Sequence, residues 1–186
     1  SALNLPKGSI TLNNTSQLTV TSTATGTGGG AATFVLAESP GSNVTLTVND
    51  SAVLNRTGGN TVVSGTSQNQ GALQIGRAAT GTVIMNGGTI NVASTDLGRG
   101  VNNTSAQNGT LTIKTGATYN NEGDFRMAFA GGASGQATLN LQGGTLNIGT
   151  TTARTMAVGT FDGSQATVTI DSGDLNLNTN SSIRLN

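Results

Sequence analysis

The chain has 186 residues, eight basic and eight acidic side chains, 34% hydrophobic residues, 28 glycines, and neither cysteine nor histidine. The missing histidine excludes a Ser-His-Asp triad and removes the commonest metal ligand; the missing cysteine excludes disulfides and thiolate metal sites. A net charge of zero argues against a nucleic-acid or anionic-membrane partner held by bulk electrostatics, and no apolar run approaches the ~20 residues of a membrane-spanning helix.

The length suits one domain with a real core. Residues 1–8, with Pro6 and Gly8, read as a leading segment, and a start at Ser1 fits a processed or excised piece. A first coil then occupies 9–43: paired strands at 9–20, a glycine-rich loop at 26–30 and an apolar run at 32–37. A longer second coil spans 44–81, its excess expected to bulge out as a loop around 56–71, and four regular coils fill 82–186.

The regular part is a repeat. Residues 81–92, 109–120, 137–148 and 166–177 each read as two short alternating strands hinged at a glycine corner, such as Gly143-Gly144. Their leading threonines, Thr82, Thr110, Thr138 and Thr167, stand 28, 28 and 29 residues apart, a fixed period that marks stacked repeats. A third strand recurs at 73–77, 96–99, 125–128, 156–159 and 183–185. Alternation with period two sends Val83, Met85, Ile90, Val92 and Leu97 into one core layer and Leu111, Ile113, Thr118, Phe125 and Met127 into the next. The expected fold is all-β: a right-handed parallel β-helix of about six three-stranded coils, roughly 25–30 Å long at ~4.8 Å per stacked strand. A β-sandwich is the structural rival.

These copies resemble repeats of bacterial autotransporter passengers and large secreted surface proteins, over residues 73–92, 97–120, 127–148 and 156–177. The resemblance implies a β-helix at the cell surface or outside the cell, serving adhesion or carrying a binding surface, with no shared catalytic residue. The chain is then expected to be part of a larger one, with no cofactor, no metal and no membrane insertion.

Three outward features bear on function. The first is a threonine ladder of Thr45, Thr47, Thr82, Thr110, Thr112, Thr138, Thr167 and Thr169, interrupted by Ile84 and Asn140. It resembles the ice-binding face of threonine-rich solenoid antifreeze proteins, although threonine also suits any solvated strand face. The second is a ladder of Asn91, Tyr119, Asn147 and Asn176, which either locks the register through amide hydrogen bonds or presents amides and a stacking ring to a sugar. The third is a set of arginines, Arg77, Arg99, Arg126, Arg154 and Arg184, in or beside the third strands. With Glu122 and Asp124 close to Arg126, these guanidiniums suit bidentate recognition of a glycan, or else pair with Asp96, Asp124 and Asp162.

The expectation is a non-catalytic module that binds polysaccharide or a cell-surface glycan through Arg77, Arg99, Tyr119, Glu122, Asp124, Arg126 and Asn147; a purely structural adhesin segment is the alternative. A polysaccharide lyase or glycosidase would need facing carboxylates, for which Glu122 with Asp124 and Asp171 with Asp174 are the candidates, or a base such as Lys114. The Asp171 and Asp174 pair offers hard oxygen ligands for calcium, but the glycine-rich calcium nonapeptide is missing.

Overall fold

A computed structural model of the chain describes residues 3–21, 34–57, 72–99, 107–129, 135–159, 163–178 and 180–185. The glycine-rich loop at 26–30, residues 58–71 of the expected bulge, and Asp162 lie outside these residues. Among them are seventeen strands and no helix. The first repeat unit supplies β1 (Leu3–Leu5), β2 (Gly8–Leu12) and β3 (Gln17–Thr21); the second supplies β4 (Phe34–Leu36), β5 (Asn43–Val48) and β6 (Val53–Thr57). The third holds β7 (Ala72–Ile75), β8 (Thr80–Met85) and β9 (Thr89–Val92), and the fourth β10 (Ser94–Leu97), β11 (Gln107–Lys114) and β12 (Thr118–Asn121). In the fifth, β13 (Phe125–Met127) precedes one long strand, β14 (Gly135–Ile148). In the sixth, β15 (Thr155–Val158) precedes β16 (Gln165–Leu177), and β17 (Ser182–Leu185) follows.

Every ladder among the described residues is parallel, and each joins strands one repeat apart. That pairing is incompatible with a sandwich of antiparallel sheets. The first strand of each unit joins a seven-stranded sheet, β1-β4-β7-β10-β13-β15-β17. The others form a ten-stranded sheet that runs β2-β5-β8-β11-β14, turns within β14, and returns through β12-β9-β6-β3, with β16 paired on β14. Gly143 makes the turn possible with a φ of +92°. Gly144 lies so close to the preceding unit that an added Cβ would meet Ile113 Cγ2 at 2.5 Å and the Lys114 carbonyl at 2.6 Å.

The alternation seen in sequence becomes six inward rows. Ile10, Leu46, Val83, Leu111, Leu139 and Val168 make one, and Leu12, Val48, Met85, Ile113, Leu141 and Ile170 the next. Across the corner run Leu18, Leu54, Ile90, Tyr119, Leu146 and Leu175, and then Val20, Arg56, Val92, Asn121, Ile148 and Leu177. The seven-stranded sheet adds Leu3, Phe34, Leu73, Thr95, Phe125, Met156 and Ile183, beside Leu5, Leu36, Ile75, Leu97, Met127, Val158 and Leu185. The middle layers are sealed, with Leu46, Leu73, Val83, Ile90, Leu97 and Leu111 all at 0% exposure, so each aliphatic side chain there contributes about 1.5–3 kcal/mol by leaving water. The outermost layers are the least covered, and Ile170, Ile183 and Leu185 stay exposed.

The leading segment holds β1, paired on β4. Two sequence expectations are corrected. Arg56 belongs to β6 and points into the core rather than starting a loop. Tyr119, not Thr118, is the inward residue of β12, because Tyr119 pairs with Ile90 and Leu146 while Thr118 pairs with Thr89 and Thr145. The cause is corner length. Residues 86–88 bridge β8 and β9, whereas the turn between Ile113 and Thr118 takes residues 114–117, one more, with a register shift at Lys114.

Candidate functional site

The outward row of the seven-stranded sheet is the chemically richest part of the molecule. Parallel register aligns Val35, Gln74, Asp96, Arg126, Ala157 and Arg184. In its middle the row is buried: Gln74 is 2% exposed, Asp96 0% and Arg126 8%. A buried carboxylate needs its lone pairs filled by charged donors, and Asp96 has them. Arg126 donates to Oδ1 through Nε at 2.7 Å and approaches it with Nη2 at 2.6 Å. Arg99 Nη1 and Gln74 Nε2 share Oδ2 at 3.1 and 3.3 Å. The Arg126 guanidinium also stands 4.6 Å from the centre of the Phe129 ring, a cation–π contact. Arg77 pairs with Glu38 from the preceding unit. Burial lowers the Arg99 pKa, its partner Asp96 opposes the shift, and the neighbouring Arg126 and Arg77 charges add to it. Arg126 thus finds a carboxylate partner one unit earlier, at Asp96.

The interior holds a second polar cluster. Tyr119 is fully buried and stacks edge-on against Phe125, ring centres 6.3 Å apart. It therefore cannot be an outward stacking platform for a sugar. Its hydroxyl lies 2.7 Å from Thr95 Oγ1, Thr95 donates to Asn121 Oδ1 at 2.7 Å, and Asn121 Nδ2 donates to the Gly123 carbonyl. The chain of donors is complete, as a buried network requires. Burial raises the Tyr119 pKa well above its ordinary value, the Thr95 hydrogen bond opposes this, and the Asp96 charge adds to it.

The true outward row of the second strands is Asn55, Asn91, Asn120, Asn147 and Asn176. Each later Nδ2 donates to the Oδ1 of the unit before it, at 2.8, 2.8, 2.7 and 2.9 Å along the row. Asn147, a candidate ligand contact, thus already spends its amide on both neighbours. A shorter ladder at the corners joins Asn13, Asn49 and Asn86.

The other candidates disperse. Thr45, Thr82, Thr110, Thr138 and Thr167 do align in one outward row, and the adjacent row reads Thr47, Ile84, Thr112, Asn140 and Thr169. Glu122 and Asp124 are exposed; the Glu122 carbonyl accepts from Arg154 Nε at 3.3 Å, and Asp124 Oδ1 accepts from the Thr155 amide at 3.3 Å. Asp171 and Asp174 are exposed at the corner within β16, and Lys114 is exposed at the end of β11. Among the described residues no group of three or more acidic side chains is placed to hold a metal ion.

Arg56 escaped sequence reasoning. It is 1% exposed, donates from Nη1 to the Val20 carbonyl at 3.4 Å, and has its pKa lowered by burial. The usable signal was the alternation itself, which puts Leu54 and Arg56 on the same face as Leu18 and Val20. Comparison of the chain with protein-family models, with curated proteins and with solved structures returns no match.

Proposed function

We propose that this chain is a right-handed parallel β-solenoid segment of an extracellular bacterial surface protein, of the autotransporter-passenger kind, and that its work is structural and non-catalytic: a stiff spacer that carries other parts of its parent protein. The observation that carries this reading is where the reactive side chains are spent. Asp96 joins strands of three successive units through Gln74, Arg126 and its own Arg99, and the asparagine row joins five units. Both hold the stack together along its length, which is what a spacer under load needs. The glycan-recognition reading loses Tyr119 and Arg126 and rests on Arg77 and Arg99, both partly exposed.

Excision of residues 138–166 tests the solenoid. It sets β16 against β11 and β17 against β13, so the shortened chain is expected to keep a β-type circular dichroism spectrum and to unfold cooperatively at a lower temperature. Loss of cooperative unfolding would sink the solenoid reading. Turnover of any member of a polysaccharide panel in lyase and hydrolase assays would sink the non-catalytic one.

A further inference from the structure

The threonines of the ten-stranded sheet make an outward face for which a spacer has no use. Ser9, Thr45, Thr82, Thr110, Thr138 and Thr167 are successive register partners in one row, and no register shift falls among them. The row two residues along reads Thr11, Thr47, Ile84, Thr112, Asn140 and Thr169. Between the two rows lie the inward side chains of Leu46, Val83, Leu111 and Leu139, all sealed in the core, so the backbone under each pair is held from below. Positions on this face repeat at about 4.8 Å across the strands and about 6.6 Å along them. A β-branched side chain has little freedom at χ1, so the grid is set before anything binds to it.

Two properties set this face apart. It is uncharged, since none of these positions carries a charge and Lys114 and Asp171 stand at the corner beyond it. Its hydroxyls are also unspent. The asparagine amides reach one another along the stack, but a threonine Oγ1 is one bond from Cβ and cannot bridge strands about 4.8 Å apart as they do. Among the described residues nothing is hydrogen-bonded to the first-row threonine hydroxyls, while in the second row Asn140 Nδ2 donates to Thr112 Oγ1 at 3.4 Å. A hydroxyl both donates and accepts, and every threonine sets a methyl beside it. Such a face suits a neutral partner that repeats at matching intervals and offers donors and acceptors throughout. A crystalline polysaccharide would be gripped by aromatic rings, and among the described residues no aromatic side chain lies on this face. Ice is uncharged, and its oxygens recur at intervals close to both repeats of the grid.

From this geometry we propose that the paired rows form an ice-binding surface. The first-row hydroxyls take places in an ordered water layer, and the methyls fill the gaps between those waters. Ile84 and Asn140 are defects in the second row: Ile84 offers no hydroxyl, and Asn140 engages the hydroxyl of Thr112. Ice binding would add to the spacer reading, and its failure would leave that reading standing.

Thermal hysteresis and inhibition of ice recrystallisation by the 186-residue chain test it, with pull-down on crystalline cellulose and chitin run in parallel. The chain is expected to hold ice growth below the melting point and to bind neither polysaccharide. Thr82→Lys and Thr110→Lys each put a charge in the middle of the face and should abolish the hysteresis. Ile84→Thr combined with Asn140→Thr completes the second row and should raise it. Circular dichroism checks that each variant is folded; should the lysine variants unfold, the completed second row still decides. Absence of both effects on ice overturns the proposal, and so does hysteresis that survives the lysine substitutions or is unmoved by completing the row. Binding to cellulose or chitin with no effect on ice overturns it in favour of a polysaccharide partner.

Discussion

The hydroxyls of Tyr119 and Thr95 lie 2.7 Å apart in the sealed interior, and the direction of their hydrogen bond is fixed by what Thr95 does with its single proton. It donates that proton to Asn121 Oδ1, so Tyr119 is the donor to Thr95. Thr95→Val would strand both the phenol and the asparagine oxygen, at an expected cost of about 2–4 kcal/mol, whereas Tyr119→Phe leaves the Thr95 donation intact and should cost about 1 kcal/mol. Urea unfolding of the two variants gives the order directly; a costlier Tyr119→Phe would contradict the assigned direction.

Tyr119 also sets an alkaline limit. In the unfolded chain its hydroxyl releases a proton near pH ~10, while burial keeps it protonated in the folded chain to higher pH. The stability tied to the neutral phenol is therefore intact below pH ~10 and falls as pH rises beyond it. Tyr119 is the only tyrosine, so phenolate absorbance should appear together with loss of the β-type circular dichroism signal. Absorbance that rises near pH ~10 with the fold intact would contradict the burial. Tyr119→Phe should flatten the fall in stability.

Asp96 is the group whose loss should be felt most. Asp96→Asn leaves Arg126, 8% exposed, without the carboxylate that neutralises it, at an expected cost of about 3–5 kcal/mol. Arg99 is partly exposed and holds only one bond to the same carboxylate, so Arg99→Gln should cost about 1 kcal/mol or less. Thermal unfolding of the two variants side by side checks the contrast.

Position within the asparagine row should matter more than residue type. Asn120→Ala removes two half-buried side-chain hydrogen bonds, to Asn91 and from Asn147, and should cost about 1–2 kcal/mol. Asn176→Ala removes one exposed bond at the end of the row and should cost about 0.5 kcal/mol. Equal effects in denaturant titrations would argue that the ladder carries no stability of its own.

The sequence made the strand periodicity legible because alternating burial leaves its mark residue by residue: Val83, Met85, Ile90, Val92 and Leu97 are all in the core. It hid the register of β12 because one extra corner residue moves the side chains of that strand to the opposite face, and Lys114-Thr115-Gly116-Ala117 does not look like an insertion beside Asn86-Gly87-Gly88. The threonine and arginine positions were readable, but not their partners. Asp96 and Arg126 are 30 residues apart, and only the stacking of the units brings them together. Arg56 was missed because a guanidinium in a core row violates the pattern used to find such rows.

Strands that pair only with the unit before and the unit after have an evolutionary consequence. Recombination between copies can lengthen or shorten such a chain by a whole unit without rewriting the rest, since each junction meets the same six rows. The bonds through Thr95, Asp96, Tyr119 and Arg126 restrict this freedom. Arg126 of β13 donates to Asp96 of β10, so removing the unit that holds β10 would take that carboxylate away, whereas the asparagine row would meet another asparagine at the new junction.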